Sequence, residues 1–311
     1  MHFDVFNGDA DGICSLIQLR LDDPRPNAML VTGPKRDIEL LGRVDPEPGD
    51  TITVLDVSMR RNRQHLLRVL NAGAEIFYAD HHNPGDVVEH PSLTSHILSK
   101  GEMCTSAIVN RYLDSRHSGW AAVGAFGDNM IRMGRELGGD RPVEQLQELG
   151  SLINYNSYGA SLDDLHFHPD ALYLLLATYD EPEAFLAQDS LVMPTLRDGI
   201  ADDLRTAERG DTLADDERVH ALALPDTAAS RRISGILGNR LARENAHRAH
   251  AVLTRRGDGF QVSLRAPVAT RQGAGELARR FGGGGRPAAA GIDLLPGDRL
   301  SEFLDSLRAA F

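Results

Sequence analysis

A chain of 311 residues with 41% apolar and 25% charged residues has the composition of a globular protein, and it is long enough for two domains. The net charge of −12 argues against a protein that coats duplex DNA, and no apolar run approaches the ~20 residues of a membrane helix. The N-terminal stretch lacks a basic segment followed by an apolar core, so no secretory signal is predicted. Two cysteines without a metal-binding spacing favour a reducing compartment, and we expect a cytoplasmic protein with both thiols buried.

The arginines are concentrated in one segment of the chain. Residues 231–286 contain 12 arginines against 3 acidic residues, whereas residues 1–230 carry a net charge of −19. This distribution favours an acidic, cation-binding first part and an anion-binding segment near the end, although a solvated arginine-rich helix face would give the same count.

The first ~130 residues alternate short apolar strands with amphipathic helical stretches, a pattern typical of a parallel α/β sheet with crossover helices. We predict strands at 3–6, 28–31, 52–55 and 74–79, and helices near 13–21, 38–41 and 61–71. Further helices are predicted near 103–116, 119–135 and 143–155.

Three parts of the chain are predicted: an N-terminal domain at 1–185, a helical linker at 186–225 and a smaller α/β C-terminal domain at 226–311. The linker prediction rests on the mixture of charged helix formers and breakers in RDGIADDLRTAERGDTLADDERV. In the last part we expect strands near 250–254, 259–264 and 288–294, with helices near 275–281 and 300–310.

Acidic side chains follow three of the predicted strands where each strand ends, and a further acid follows the small-residue run AAVGAFG. The set consists of Asp9 and Asp11 after the first strand, Asp56 after the third, Asp80 with His81 and His82 after the fourth, and Asp128. Because ligands of an open parallel sheet bind beyond the carboxyl ends of its strands, we expect these side chains to converge. One such acid would be an ordinary turn or helix-cap residue, but several carboxylates around one point need cations to stay ionised.

The mixture of aspartates and histidines predicts a pair of divalent cations suited to phosphoryl displacement. Mn²⁺ is the first expectation, Co²⁺, Zn²⁺ and Mg²⁺ are alternatives, and Ca²⁺ fits less well. The stretch NGDADG also matches the first half of an EF-hand loop, but Gln18 stands at the twelfth position and a strand precedes the stretch. An EF-hand is therefore excluded, and the lack of GxGxxG disfavours a dinucleotide site.

Taken together and in chain order, these segments resemble a known family. NGDADG, the Asp56 strand end, DHH at 80–82 and GD at 127–128 resemble the four motifs of the DHH phosphoesterases, and GGGGRPAAAG at 282–291 resembles the mark of their C-terminal domain. The resemblance implies a DHH-type catalytic domain followed by a substrate-binding domain. The family includes RecJ-type exonucleases, short-oligoribonucleotide nucleases, cyclic-dinucleotide phosphodiesterases, pyrophosphatases and polyphosphatases.

Carried over residue by residue, the resemblance implies a role for each of the acidic residues and histidines that follow the predicted strands, and for Asp128. One cation would be held by Asp9 and Asp56, which bridges to the other. The second would be held by Asp11, Asp56, His81 and Asp128. Asp80 would orient a histidine, and His82 would face the phosphate, stabilising its charge or protonating the leaving oxygen.

This sequence departs from the family pattern at three positions. Val5 stands where many members have a histidine, and Asn7 stands where RecJ-like members have an aspartate. The first cation site would therefore be short of a ligand, with Asn7 as a metal ligand or an outer contact. Arg286 replaces the usual histidine after the glycine run, and an arginine can clamp a phosphate but cannot shuttle a proton at neutral pH.

The glycine run has a chemistry of its own. Successive N–H groups of Gly283, Gly284 and Gly285 can approach a phosphate closely because no Cβ stands in the way. Beside Arg286, two further arginines flank the second strand of this part, Arg265 and Arg271. We predict that these residues bind the substrate.

The sequence thus predicts a metal-dependent, exonuclease-like phosphoesterase that cleaves phosphodiester bonds of short oligonucleotides or small nucleotides with a metal-activated water. An aromatic content of 5% gives little material for stacking bases along a long strand. The alternatives are a phosphomonoesterase or a pyrophosphate or polyphosphate hydrolase, and a non-catalytic regulator that binds nucleotide and metal. No membrane partner is expected, and a homodimer is left open.

Overall fold

The computed structural model describes residues 1–99 and 102–311, which form two compact units, Met1–Arg197 and Asp198–Phe311. Within this part of the chain, no helix is long and apolar enough to cross a lipid bilayer. Each unit has its own sheet and its own core.

The first unit alternates strands and helices and then continues as helices. Its described strands are β1 (His2–Phe6), β2 (Met29–Val31), β3 (Thr51–Leu55), β4 (Glu75–Asp80) and β5 (Leu93–Ile97). Its described helices are α1 (Ala10–Asp22), α2 (Met59–Asn71), α3 (Thr105–Tyr112), α4 (Ser118–Gly127), α5 (Ile131–Gly138), α6 (Val143–Ser157), α7 (Pro169–Leu176), α8 (Pro182–Gln188) and α9 (Val192–Ala207).

The sheet of this unit has the order β2-β1-β3-β4-β5, and every neighbouring pair is parallel. Val5 in β1 lies opposite Val54 in β3 and Val31 in β2, so the strands run in simple register. Central strands of such a sheet are covered on both faces, which explains why FDVF and ITVL contain consecutive buried residues. The predicted parallel α/β fold is confirmed, and the carboxyl ends of β1, β3 and β4 lie at one edge.

Three details of the first unit differ from the prediction. The segment 38–41 contributes only the short 3₁₀ helix Leu40–Arg43. The helix predicted at 119–135 is two helices, because Asn129 adopts a left-handed conformation (φ 61°) between α4 and α5. Strand β5 was not predicted, since it is a short edge strand whose partly exposed, polar residues lack a strong apolar pattern.

A buried ion pair stabilises the start of the sheet. Asp4 in β1 is 1% exposed, and the guanidinium of Arg20 in α1 donates to both of its carboxylate oxygens. Burial alone would raise the pKa of Asp4, but hydrogen bonds and charge from His2 and Arg20 lower it overall. The ionised carboxylate is therefore the form that the folded unit stabilises.

Arg20→Ala is expected to lower the free energy of unfolding by about 3–5 kcal/mol, because it leaves a buried carboxylate without its cation. Trp120, the single tryptophan, is fully buried in this unit, so its fluorescence during urea unfolding reports the loss. Folding lowers the pKa of Asp4. The difference in unfolding free energy between the wild type and Arg20→Ala should therefore be present above roughly pH 4 and decrease as the pH falls through the folded pKa. An Asp4→Asn, Arg20→Ala double variant should be less destabilised than Arg20→Ala; an equal loss would contradict the account.

The second unit is a mixed α/β domain. Its described strands are β6 (Asp211–Asp215), β7 (Val219–Leu224), β8 (Ala249–Arg256), β9 (Gly259–Arg265), β10 (Gly284–Gly285) and β11 (Ala289–Pro296). Its described helices, after the end of α9, are α10 (Ala228–Glu244), α11 (Ala274–Arg280) and α12 (Leu300–Ala310).

The sheet of the second unit has the order β10-β11-β9-β8-β7-β6, in which β7 and β8 are parallel and the other pairs are antiparallel. One face packs against α11 and α12 through residues such as Leu277 and Phe303. The segment 186–225, predicted as a helical linker, contains all of α9 and also the strands β6 and β7. The polar edge strand β6 and the alanine-rich VHALAL of β7 give a weak strand signal, which is why the sequence did not show that they belong to this sheet.

Candidate active site

The predicted acidic residues meet at the carboxyl edge of the first sheet. Asp9 and Asp56 lie in the loops after β1 and β3, Asp80 is the last residue of β4, and Asp11 lies in the first turn of α1. These four carboxylates are at most 2% exposed. Asp128, which follows α4 in sequence, comes to the same edge, where its side chain is 14% exposed.

His81 links two of the carboxylates. Its Nε2 atom lies 3.4 Å from Asp56 Oδ1 and 3.2 Å from Asp128 Oδ2. Among the described residues, two groups offer ligand atoms within 4.8 Å of one another: Asp56, His81 and His82, and Asp11, His81 and Asp128. Carboxylate oxygens together with imidazole nitrogen suit Mn²⁺ and related divalent ions, so these residues fit a divalent cation.

The NGDADG loop is shaped by its own side chains. Asp9 caps α1, since its Oδ1 atom accepts the N–H groups of Asp11 and Gly12 at 3.1 Å each. Asn7 uses its side-chain oxygen to accept the N–H of Asp9 at 3.3 Å. Position 8 requires glycine, because the Cβ atom of any other residue there would overlap the carbonyl oxygen of Gly33. Asn7 therefore shapes the loop, and its oxygen is engaged with the backbone.

Asp11 is held by the N-terminus of a helix that lies far away in the chain. Its two oxygens accept the N–H groups of Thr105 and Ser106, the first residues of α3, at 2.7 Å each. The hydroxyl of Thr105 also donates to Asp56 Oδ1 at 2.9 Å. The partial positive charge of the helix start thus stabilises a carboxylate of the centre.

Lys35 is a charged residue of the centre that sequence reasoning missed. It follows β2, its Nζ atom forms an ion pair with Asp9 Oδ2, and the same atom lies 3.2 Å from Asp128 Oδ1. Its side chain is 30% exposed. The position of Lys35 in the sequence could have indicated its role, because it follows β2, a parallel strand of the same sheet. The loop after β2 therefore lies at the same edge as the acidic residues.

The electrostatics of the centre show a need for positive charge. Burial and the neighbouring charges of Asp9 and Asp11 raise the pKa of Asp56 well above its usual range. Burial also raises the pKa of Asp128, against the opposing effect of Lys35. For Asp9 the penalty of burial is outweighed by the Lys35 ammonium, and its pKa is lowered. Lys35 therefore outweighs the effect of burial at Asp9 but not at Asp128, and Asp56 also remains uncompensated.

His82 is oriented by Asp80. Its Nδ1 atom lies 2.7 Å from Asp80 Oδ1, and Asp80 is fully buried at the end of β4. Burial would lower the pKa of His82, but the hydrogen bond and the charge of Asp80 raise it overall. The side chain is 44% exposed. His82 is thus a fixed imidazole with a stabilised proton and access to solvent.

A basic groove of about 680 Å³ lies beside His82. Five basic side chains and one acidic side chain line it, together with three polar residues: Arg60, Arg61, Arg63, His65 and His82, then Glu39, and Ser58, Gln64 and Asn83. Arg63 donates to the carbonyl oxygen of Asp86, whereas no carboxylate among the described residues pairs with Arg61. The sequence signal was MRRNRQH, directly after the Asp56 strand end. Another cavity, of about 560 Å³, is lined by strand beginnings such as Thr51 and Glu75 and by none of the predicted site residues.

The predicted substrate-binding residues of the second unit are arranged around a tight hairpin. Gly284 and Gly285 form β10 and pair with β11, and Arg286 follows as an exposed residue. Arg271, with φ 52°, is exposed in a loop bound to the hairpin through the N–H of Ala274 and the carbonyl of Pro287. Arg265 is different, because it donates to Asn239 Oδ1 at 2.6 Å and to the carbonyl oxygen of Gly235 in α10.

Comparison with solved structures identifies the fold. The chain is similar to a DHH domain described as a member of a family of ribosomal proteins (TM-score 0.62, 13% identity, 99% of this chain and 85% of that one). It is also similar to RecJ from Thermus thermophilus in complex with Mn²⁺ (0.64, 17%, 99% and 51%) and to a pGpG-specific phosphodiesterase from Vibrio cholerae (0.56, 16%, 100% and 100%). The chain thus spans about half of the Thermus RecJ chain. No family model and no curated protein matches the sequence.

Proposed function

Because the chain has the fold of DHH-domain proteins, we propose that it is a metal-dependent phosphoesterase that hydrolyses phosphodiester bonds of short oligonucleotides or small nucleotides. The observation that carries the proposal is the convergence of Asp11, Asp56, His81 and Asp128 at one sheet edge. These residues come from four separate segments, and a buried cluster of carboxylates is unfavourable unless positive charge neutralises it. A bound cation supplies the reason for it.

The chain's own residues have distinct parts in this proposal. A divalent cation held by the four residues would supply Lewis acidity and an activated water for attack on phosphorus. Thr105 keeps Asp56 in place through its hydroxyl group. His82, held by Asp80, donates a proton to the leaving oxygen of the substrate, which would otherwise depart as an unstable alkoxide.

The small amount of basic surface favours short substrates. In the first unit, the groove beside His82 offers arginines for a phosphate next to the scissile one. In the second unit, Arg271, Arg286 and the exposed Gly284 and Gly285 offer a small phosphate-binding surface of their own. One solved structure of similar fold is a phosphodiesterase specific for pGpG, a substrate of this class.

Manganese is our proposal for the cation, since a mixed carboxylate and imidazole set suits it and the Thermus RecJ structure contains it. Mg²⁺ and Co²⁺ are the alternatives. A cytoplasmic location stays a prediction from the cysteines, both of which are buried free thiols. A homodimer likewise stays a prediction.

The experiment that tests the function is a hydrolysis panel with the purified full chain in Mn²⁺, with and without chelator. The panel contains dinucleotides, longer RNA and DNA, cyclic dinucleotides, 3′-phosphoadenosine 5′-phosphate and pyrophosphate. We expect chelator-sensitive hydrolysis, fastest on a dinucleotide. Fastest turnover of pyrophosphate or of the monoester would favour the alternative hydrolases. Binding of Mn²⁺ and nucleotide without any turnover would favour a regulator, which Val5, Asn7 and Arg286 keep as the second candidate.

Arg61→Ala is expected to raise KM for a 5′-phosphorylated dinucleotide about tenfold with little change in kcat, because one charge-assisted phosphate contact is lost. The control is Arg68→Ala, which lies two turns further along α2, outside the groove, and removes the same charge. Steady-state kinetics of both variants check the result. Equal KM values for Arg61→Ala and wild type would show that the groove does not contact the substrate.

A further inference from the structure

Lys35 occupies a position where the two-cation arrangement would need a metal ion. Its ammonium group contacts Asp9 Oδ2 and lies 3.2 Å from Asp128 Oδ1, so it joins carboxylates of the β1–α1 loop and of the α4 end. The position is fixed by the backbone, because the N–H of Lys35 donates to the carbonyl of Ser157 at 3.0 Å. A lysine ammonium is a compact point charge, which suits a place between two carboxylates.

Asp9 has little capacity left for a metal ion. One of its oxygens accepts two backbone N–H groups and the other contacts Lys35. Among the described residues, Asp9 belongs to neither of the two groups whose ligand atoms lie within 4.8 Å of one another. Asp11 also accepts two backbone N–H groups, so the feature that sets Asp9 apart is the Lys35 ammonium group against its second oxygen.

The neighbouring positions supply no substitute ligand. Val5 is fully buried and packs in the apolar core of the sheet. Asn7 is 6% exposed, and its side-chain oxygen accepts the N–H of Asp9. A second cation would have to bind through Asp9 and a shared Asp56 alone, with the ammonium group of Lys35 against the same carboxylate.

We propose that Lys35 takes the place of one of the two divalent cations, so that the chain binds a single divalent cation at Asp11, Asp56, His81 and Asp128. The ammonium group then neutralises Asp9 permanently and the metal ion neutralises the other carboxylates. The inference deepens the proposed function and rests on it only for the identity of the site. It implies that in-line displacement at phosphorus in this protein would proceed with one metal ion and the ammonium group of Lys35.

The test is the number of Mn²⁺ ions bound by the full chain, measured by calorimetric titration and by anomalous diffraction from Mn²⁺-soaked crystals. We expect one ion per wild-type chain, with Lys35 Nζ still in contact with Asp9. Lys35→Asp removes the ammonium group and adds a carboxylate, and it should bind two ions. Arg43→Ala removes one charge from an exposed residue that pairs with Asp37, and it should still bind one.

Two ions in the wild type, with Asp9 as a ligand and Lys35 withdrawn, would overturn the inference, and so would the absence of any bound ion. The wild-type anomalous map decides the matter even if Lys35→Asp fails to fold. The count is independent of turnover. One bound ion without hydrolysis of any phosphoester would contradict the proposed function and support the role of Lys35. Hydrolysis with two bound ions would support the proposed function and contradict the role of Lys35.

Discussion

Asp56→Asn is expected to lower kcat/KM for a dinucleotide by at least about 1,000-fold, which corresponds to roughly 4 kcal/mol of lost transition-state stabilisation. Asparagine is the suitable replacement, because Asp56 adopts a left-handed conformation (φ 56°) that asparagine tolerates better than alanine. The amide oxygen can still accept the Thr105 hydroxyl group. The variant thus changes charge at the centre with little change in shape.

The fold should survive this substitution. Asp56 is buried beside Asp9 and Asp11, and the raised pKa of its carboxyl shows that its negative charge is unfavourable without a cation. A thermal melt of the metal-free variant should therefore match or exceed that of the wild type, while its affinity for Mn²⁺ falls. Asp45→Ala, at a fully exposed acid of the same unit, should change neither property. Undiminished turnover by Asp56→Asn would show that the Asp56 carboxylate has no part in catalysis.

His82→Gln is expected to lower kcat for a dinucleotide by roughly 10²–10⁴-fold, the usual contribution of a positioned general acid. The loss should be much smaller for a bis-p-nitrophenyl phosphate substrate, because p-nitrophenolate leaves without needing a proton. Asp80→Asn should have an intermediate effect, since it weakens the hydrogen bond that orients the imidazole.

Mn²⁺ affinity distinguishes this role from a ligand role for His82, which lies within ligand distance of Asp56 and His81. We expect His82→Gln to bind Mn²⁺ as the wild type does. Equal losses of rate on the two substrates, together with weaker Mn²⁺ binding, would show that His82 holds the cation instead of a proton.

The position of the acidic residues could be predicted from the sequence because it depends on topology. Once β1, β3 and β4 are parallel neighbours, the loops after them share an edge, and Asp9, Asp56 and His81 follow. Asp128 required more than topology, since it follows a helix. Its place in the predicted set came from the small-residue run before it and its ligand role from the resemblance to the DHH motifs, and the structure brings it to 3.2 Å from His81.

Contacts between loops could not be predicted in the same way. Lys35 reaches Asp9 because the loop after β2 packs on Gly8, a close approach that neither segment shows alone. The N–H groups of Thr105 and Ser106 reach Asp11 from a segment more than 90 residues away. Arg265 was grouped with Arg271 and Arg286 by charge, but its guanidinium is bound to α10.

The sequence alone therefore determined the alternation of strands and helices, the parallel sheet and the acidic edge, since hydrophobic periodicity and strand direction are properties of local order along the chain. Only the tertiary structure decided which groups meet Asp9 and Asp11. Asp9 contacts a lysine and Asp11 a helix N-terminus, whereas the contact of Asp80 with a histidine was already implied by the resemblance. The physical reason is that electrostatic interactions depend on distances of a few ångströms between segments remote in sequence, and such distances are fixed only when the loops pack.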